Sequence, residues 1–439
     1  MTNPVQGVSQ IVQNITTEGL IRVTPSGQTE PQLADTWVLS PDGRALTVTL
    51  KPHLKFSDGS PIDAAIVAKT LPALVSDFLG PRLAAGLLAK PIDGNSIELD
   101  LPYPSRFWVE SLEVPIRKPG ASTSIGPFAR DPTSATRLIA TDDYYLGRSI
   151  IDQIEYKPFP SVRAAWAELL RNNVDMLYEV GPDALDSLES STTVTVFTFL
   201  RPYQYNVSFN TSAGPLRAAV VRQALNYAID RNQLVRVALN GHGVASTGPF
   251  RSSVAPTDAF TYDPQRAAKL LNGQKIRFTC LLLTDAVYER IALEIKRQLA
   301  AIGVEMDLKS LPPDELFAAE RAHNYEAFLH ETLVGQSMVR LYLVWHSKGP
   351  ANVVGRGTAT VDEALDRVRR AVSNEEYGTA VAGVQSAFWQ DPPAILLAWS
   401  ERARAVSRRF VVPMTEPGDP ILTLRQWKPR NDDHVASRN

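Results

Sequence analysis

The chain holds 439 residues, 44% hydrophobic and 21% charged, with a formal net charge of -2. That length exceeds what one hydrophobic core usually organises, so two or three domains or lobes are expected. The charge balance lacks the basic face of a nucleic-acid binder, and no apolar run reaches the roughly 18 residues of a bilayer span, so neither nucleic acid nor a membrane-spanning helix is expected.

In chain order, the text "PQLADTWVLSPDGRALTVTL" from Pro31 to Leu50 alternates on both sides of a Pro41-Asp42-Gly43 turn. It predicts a hairpin with Leu46, Val48 and Leu50 on one face. A second turn, "FSDGSP", leads to Asp63, which caps a helix with an apolar face through Ile66, Val67 and Leu71. Pro72 is expected to end or bend that helix. "IDGNSIELDL" reads as a turn and strand, and the proline-rich text up to "SIGPFARD" as loops. "IIDQIEYKPFP", a helix capped by Ser161, and "VDMLYEV" read as a β-α-β unit of a parallel sheet. "VVRQALNYAIDRNQLV" reads as two short helices, with Val221, Leu225 and Ala228 facing the core and Asp230 capping the second. The clearest β-α-β unit is "KIRFTCLLL", a helix with Val287, Ile291, Ile295 and Leu299 on one face, Gly303 as its stop, and "VEMDLKSL". Two α/β sheets on either side of the loop "NGHGVASTGPFRSS" suggest lobes facing each other across a ligand cleft.

Catalytic and metal constellations are missing from the text. None of the six histidines stands at metal-ligand spacing from another, and "HETLV" at His330 lacks the second histidine of a zinc-protease helix. No G-x-S-x-G elbow, Walker loop or G-x-G-x-x-G occurs. Asp42, Asp58, Asp63 and Asp263 are accounted for by turns and helix caps. The single cysteine, Cys280, reads as a small buried hydrophobe with no internal disulfide partner. No metal, no cofactor and no enzymatic activity are expected.

The order of motifs resembles the peptide/nickel (family 5) solute-binding proteins of bacterial ABC importers. The resemblance rests on "TEGLIRVTPSGQTEPQLADTWVLSPDGRALTVTLKPHLKFSDGSPIDAAIVAKTL", then "IGPFARD", "DDYYLGRSIIDQIEYKPFP", "NNVDML", "VSFNTSAGPLRAAVVRQALNYAIDRNQLV" and "YDPQRAAKLL". It implies an α/β, periplasmic-binding-protein-like (Venus flytrap) bilobal fold with parallel or mixed sheets and a small inserted β-rich domain. The implied first lobe comprises residues 1–38, 148–247 and 400–439, the insertion 39–147, and the second lobe 248–399. It further implies a monomer that captures a small solute, peptide or peptide-like or a metal chelate, and delivers it to an ABC permease. A bilobal sensor or chaperone-like binding protein is the alternative, and a hydrolase is a third. Family members begin with a signal sequence absent from this text, so a periplasmic or membrane-anchored extracellular protein with a trimmed start is expected.

Many peptide-binding members carry a block resembling W-x-x-D-Y-x-D-P, whose aspartate holds the ligand's free amine. Here the text is "FLHETLVGQSMVRLYLVWHS", and Leu333 to Val339 holds neither carboxylate nor aromatic residue. His330 or Glu331 is the expected replacement contact. The resemblance also points to Tyr205 and Asn206, of which alternation lets only one face the ligand. Thr247 and Phe250 fall near the lobe crossover, Trp399 at the return crossover, and Gln6 and Gln10 on a loop bordering the cleft. Arg117 is a candidate for an anionic ligand group. Arg222 and Asp230 are read as scaffold.

Overall fold

A computed structural model describes residues 12–430, apart from 25–26, 119–122, 124, 181–184, 186–187, 189, 252–259, 353–354, 356 and 415–417. After the paired strands β1 (Ile21–Val23) and β2 (Thr29–Pro31), the predicted hairpin forms from β3 (Ala34–Leu39) and β4 (Ala45–Leu50). Asp42 builds its turn by accepting from the Ser40 hydroxyl at 2.6 Å and the Arg44 amide at 3.1 Å. Leu46, Val48 and Leu50 point inward, as a two-residue period requires.

Helix α1 (Ala64–Leu79) starts where Asp63 accepts from the Ile66 amide at 2.9 Å. It runs through Pro72, where an end or a bend was expected, and does not end there. Val67 and Leu71 before the proline and Val75 and Leu79 after it share one buried face, whose burial outweighs one missing N–H bond. Strands β5 (Leu88–Pro91) and β6 (Ser96–Asp100) complete a sheet of order β3-β4-β6-β5, and the short helix α2 (Phe107–Glu110) follows.

A separate antiparallel sheet is made of β7 (Phe128–Arg130), β8 (Arg137–Ala140) and β9 (Gln153–Glu155). Its apolar side joins Val12, Ile15, Ile421, Leu424 and Trp427 in one core. This sheet therefore packs with the two ends of the described chain, and the expected boundary at 147/148 cuts it between β8 and β9. Helix α3 (Val162–Leu170) forms with its Ser161 cap, but β9 and β10 (Met176–Val180) lie in different sheets. The β-α-β unit expected there is corrected: β10 instead pairs antiparallel with a strand from far along the chain.

That partner belongs to one seven-stranded mixed sheet, where two separate sheets were expected. Its strands are β10, β11 (Val194–Phe209), β12 (Gly243–Ala245), β13 (Ile276–Leu283), β14 (Val304–Leu311), β15 (Ala327–Leu333) and β16 (Ala394–Ser407). The order is β10-β16-β11-β15-β13-β14, with β12 beside β16. Among the described strands the parallel pairs are β13 with β14 and β13 with β15. The predicted β-α-β unit is β13, α7 and β14, with Gly303 at φ +79° turning the chain.

Helices α4 (Ala219–Tyr227), α5 (Arg231–Ala238), α6 (Pro264–Leu271) and α7 (Ala286–Ala300) cover one face, sharing a core with Val207, Phe209, Cys280, Leu282 and Ile395. Residues 210–247, expected in the first lobe, thus pack with the second. Arg222 is buried there, donating to the carbonyls of Pro392 (2.8 Å), Leu216 (2.5 Å) and Arg217 (2.9 Å) and pairing with Asp391. Asp230 caps α5 through the Gln233 amide at 2.9 Å. Both are scaffold.

After α8 (Pro313–Arg321), helices α9 (Met338–Trp345), α10 (Ala359–Arg370) and α11 (Asn374–Gln390) follow. They bury Val339, Trp345, Leu365 and Phe388 in one continuous core with Leu46, Val48, Phe107 and Trp108 of the inserted domain. The insertion leans on the second body as well as on the first.

Candidate ligand cleft

Strands β11 and β16 run antiparallel through both bodies and are their shared spine. Their register holds from Val194↔Ser407 to Leu200↔Glu401, breaks, resumes at Gln204↔Trp399, and slips again between Tyr205 and Asn206. Pro202 sits in the break, where its lack of an N–H costs no ladder bond. Its carbonyl accepts from the amides of Val334 and Gly335, both at 3.1 Å. Gly335 has φ +55°, and a Cβ there would lie 2.9 Å from the Pro202 Cβ. The crossover is therefore an irregular ribbon with a proline against a glycine at its midpoint.

The two faces of this ribbon differ in chemistry. On one, the Arg402 guanidinium meets both Glu331 oxygens at 3.0 and 2.9 Å, lies 3.2 Å from Glu179, and donates to the Tyr205 hydroxyl at 3.2 Å. Glu179 is on β10 and Glu331 on β15, so one cation ties the two bodies together at the crossover. Two of the expected ligand contacts lie on this face. Glu331 is engaged by Arg402, and Tyr205 is buried with its ring edge against Tyr288 at 5.9 Å between centroids. Strand alternation turns both away from the side that carries Asn206 and His330.

The other face carries a strip of uncharged polar groups. Gln204 donates to the Ser246 hydroxyl at 2.9 Å and the Gly248 carbonyl at 2.8 Å. Asn206 donates to the Gln204 carbonyl at 3.1 Å and the Thr332 hydroxyl at 3.0 Å. Ser208 donates to Asn206 Oδ1 at 2.8 Å, and His330 Nε2 lies 2.9 Å from Ser208 Oγ. The His330 ring also lies on Phe328, centroids 4.0 Å apart. Burial pushes the imidazole down to about 3, so it is neutral near pH 7. Trp399 and Phe250 share the apolar core on this side, and the Thr247 carbonyl accepts from the Trp389 indole at 3.2 Å. Gln204 Oε1 is buried with no partner.

Asn206, Thr247, Phe250, His330 and Trp399 are thus brought to one side of the ribbon. Arg117 is not: it is exposed beside Lys118, which pairs with Asp58 at 2.6 Å in the inserted domain. Gln6 and Gln10 lie outside the described residues. Sequence reasoning missed Gln204, Thr332 and Ser246 as members of the strip, and Arg402 altogether. Alternation from Asn206 points to Gln204; the other three depend on which strands become neighbours.

The insertion reaches the same region from above α9. The Ser337 hydroxyl, which caps α9, donates to Glu110 at 2.6 Å, and Arg340 grips Glu113 at 3.1 and 2.8 Å. Tyr377 donates to the other Glu110 oxygen at 3.4 Å. Burial pushes the Glu110 carboxyl up to about 7, against the pull of the Ser337 bond.

The strip offers hydrogen-bonding groups and no charge. The Ser208–His330 contact is no nucleophile and base, because the serine proton already goes to Asn206 and the hydroxyl is fully buried. Among the described residues no group of three His, Cys, Asp or Glu side chains converges on a metal-sized site.

The profile described as bacterial extracellular solute-binding proteins, family 5 middle, matches residues 28–352. A glutathione-binding protein, GsiB, of Pectobacterium atrosepticum is 26% identical over 87% of this chain and 83% of its own length. The nickel-binding periplasmic protein of Escherichia coli K12 is 25% identical over 73% of this chain and 70% of its own. The oligopeptide-binding protein AppA of Bacillus subtilis, solved with a nonapeptide, superposes with a TM-score of 0.79 at 20% identity, covering 96% of this chain and 94% of that one.

Proposed function

The chain belongs to the bacterial extracellular solute-binding proteins of family 5, and from that premise we propose that it captures a peptide or peptide-like solute at the β11/β16 crossover. Members of this family bind solutes and work with ABC permeases; they are not enzymes. We place this chain outside the cytoplasmic membrane as a monomer that hands its solute to such a permease. The observation that carries the reading is the uncharged strip of Gln204, Asn206, His330 and Thr332 beside the break between the two bodies.

Amide and hydroxyl groups suit a ligand whose own backbone offers N–H and C=O groups, and pairing to a backbone gives affinity with little side-chain selectivity. Glutathione and a nonapeptide, named for two similar proteins, are ligands of that kind, and the nickel-binding relative names the second reading, a metal chelate. Binding would favour the arrangement in which both bodies touch the solute, since only differential contact shifts such an equilibrium. Native mass spectrometry of protein purified from its own host, with calorimetric titration of reduced glutathione and trialanine, tests the reading. A retained peptide-like mass or saturable binding is expected. No retained small molecule and no heat with either probe overturns it.

A further inference from the structure

We propose that His330 sets the specificity of this cleft as an imidazole locked in one tautomer, its Nδ1 accepting a hydrogen bond from an N–H or O–H group of the solute. The inference rests on the function proposed above and adds the chemical sense of one contact.

The lock follows from a chain of forced choices. The Gln204 carbonyl can only accept, so the Asn206 group 3.1 Å from it is the amide nitrogen. The Asn206 oxygen then faces Ser208, 2.8 Å away, and it too can only accept. Ser208 has a single proton, which must go to Asn206, leaving its lone pairs toward His330 Nε2 at 2.9 Å. His330 therefore carries its proton on Nε2, and Nδ1 is left as a bare lone pair.

Among the described residues Nδ1 has no hydrogen-bond partner, whereas Nε2 is held by Ser208. Gln204, Asn206 and Ser208 are fully buried, while His330 keeps partial exposure and is the end of the relay that solvent reaches. Phe328 against the ring limits its rotation. The lowered basicity of this largely desolvated ring keeps Nδ1 an acceptor rather than a second donor. A solute placing an acceptor there would face a lone pair and lose a bond.

The full chain with 15N-labelled histidine tests this without any ligand, the His330 signals being assigned by their loss in His330→Asn. The expected spectrum shows protonated Nε2 and unprotonated Nδ1, and Ser208→Ala mixes the two tautomers. A protonated Nδ1 in the wild type overturns the proposal. With reduced glutathione and trialanine as probes, His330→Phe should weaken binding about tenfold or more, the worth of one well-placed hydrogen bond. His330→Asn, whose Oδ1 stands near the Nδ1 position, should retain most of it. Equal affinity of wild type and His330→Phe for a bound probe overturns the proposal. Absence of binding by the wild type counts against the peptide function instead, and the nitrogen signals then decide the tautomer by themselves.

Discussion

At the scale of single residues, buried ionisable groups set the sharpest expectations. Glu110 is buried between Ser337 and Tyr377, with Glu113 adding repulsion and Arg340 beside Glu113. Its carboxyl lies at about 7, above the ordinary 4.5. A group raised in this way keeps its proton in the folded chain after the unfolded chain has lost it. Its stabilising contribution is complete below the unfolded value and is lost as pH rises through the folded one. We predict that the stability of wild type relative to Glu110→Gln falls by on the order of 2–3 kcal/mol between about pH 4.5 and pH 7.5. Urea unfolding at both pH values measures this, and a difference that does not change with pH refutes it. Local chemistry of this scale was legible in part. The caps at Asp63, Ser161 and Asp230 and the shared face of Asn206 and Ser208 follow from residue type and period. That Glu331 meets Arg402, and that Glu110 meets Ser337, depends on contacts between segments far apart in the chain, about which neither period nor composition speaks.

Among the secondary-structure elements, α1 is the clearest conflict between local and tertiary preference. Pro72 withholds one N–H from the helix while Val75 and Leu79 beyond it remain in the core. Pro72→Ala should restore the missing bond to the Ala68 carbonyl and raise stability by about 1–3 kcal/mol. Thermal unfolding checks this, and an unchanged or lower midpoint shows that the helix is shaped around the proline. The hairpin β3–β4 and the unit β13–α7–β14 were readable because each is closed by its own turn or helix, so sequence neighbours are spatial neighbours. The unit expected across α3 failed for the opposite reason. Its second strand, β10, takes a partner more than two hundred residues later, and alternation within "VDMLYEV" is the same whichever strand lies beside it.

For the whole molecule, the contact between the insertion and α9 joins the inserted domain to the second body. Arg340 and Glu113 form a partly buried pair across it, 2.8 Å apart. Arg340→Glu sets two carboxylates against each other, and loosening a buried pair in this way costs about 3–5 kcal/mol. We predict a larger radius of gyration in small-angle scattering and weaker binding of whichever probe the wild type binds. A profile identical to the wild type, with unchanged affinity, would show that this contact takes no part in closure. The bilobal plan itself was legible from the order of motifs, whereas its boundaries were not. Residues 128–147 and 210–247 each pack with a body other than the one expected, because membership is decided by which apolar face finds which core. The spine has one more consequence. In the sheet β16 lies between β10 and β11, yet it is synthesised long after both. Neither half of the molecule can complete its part of the sheet until β16 has emerged, and such non-local pairing makes folding slow. With the extracytoplasmic role proposed above, such a delay would leave the nascent polypeptide threadable when it meets an export machinery.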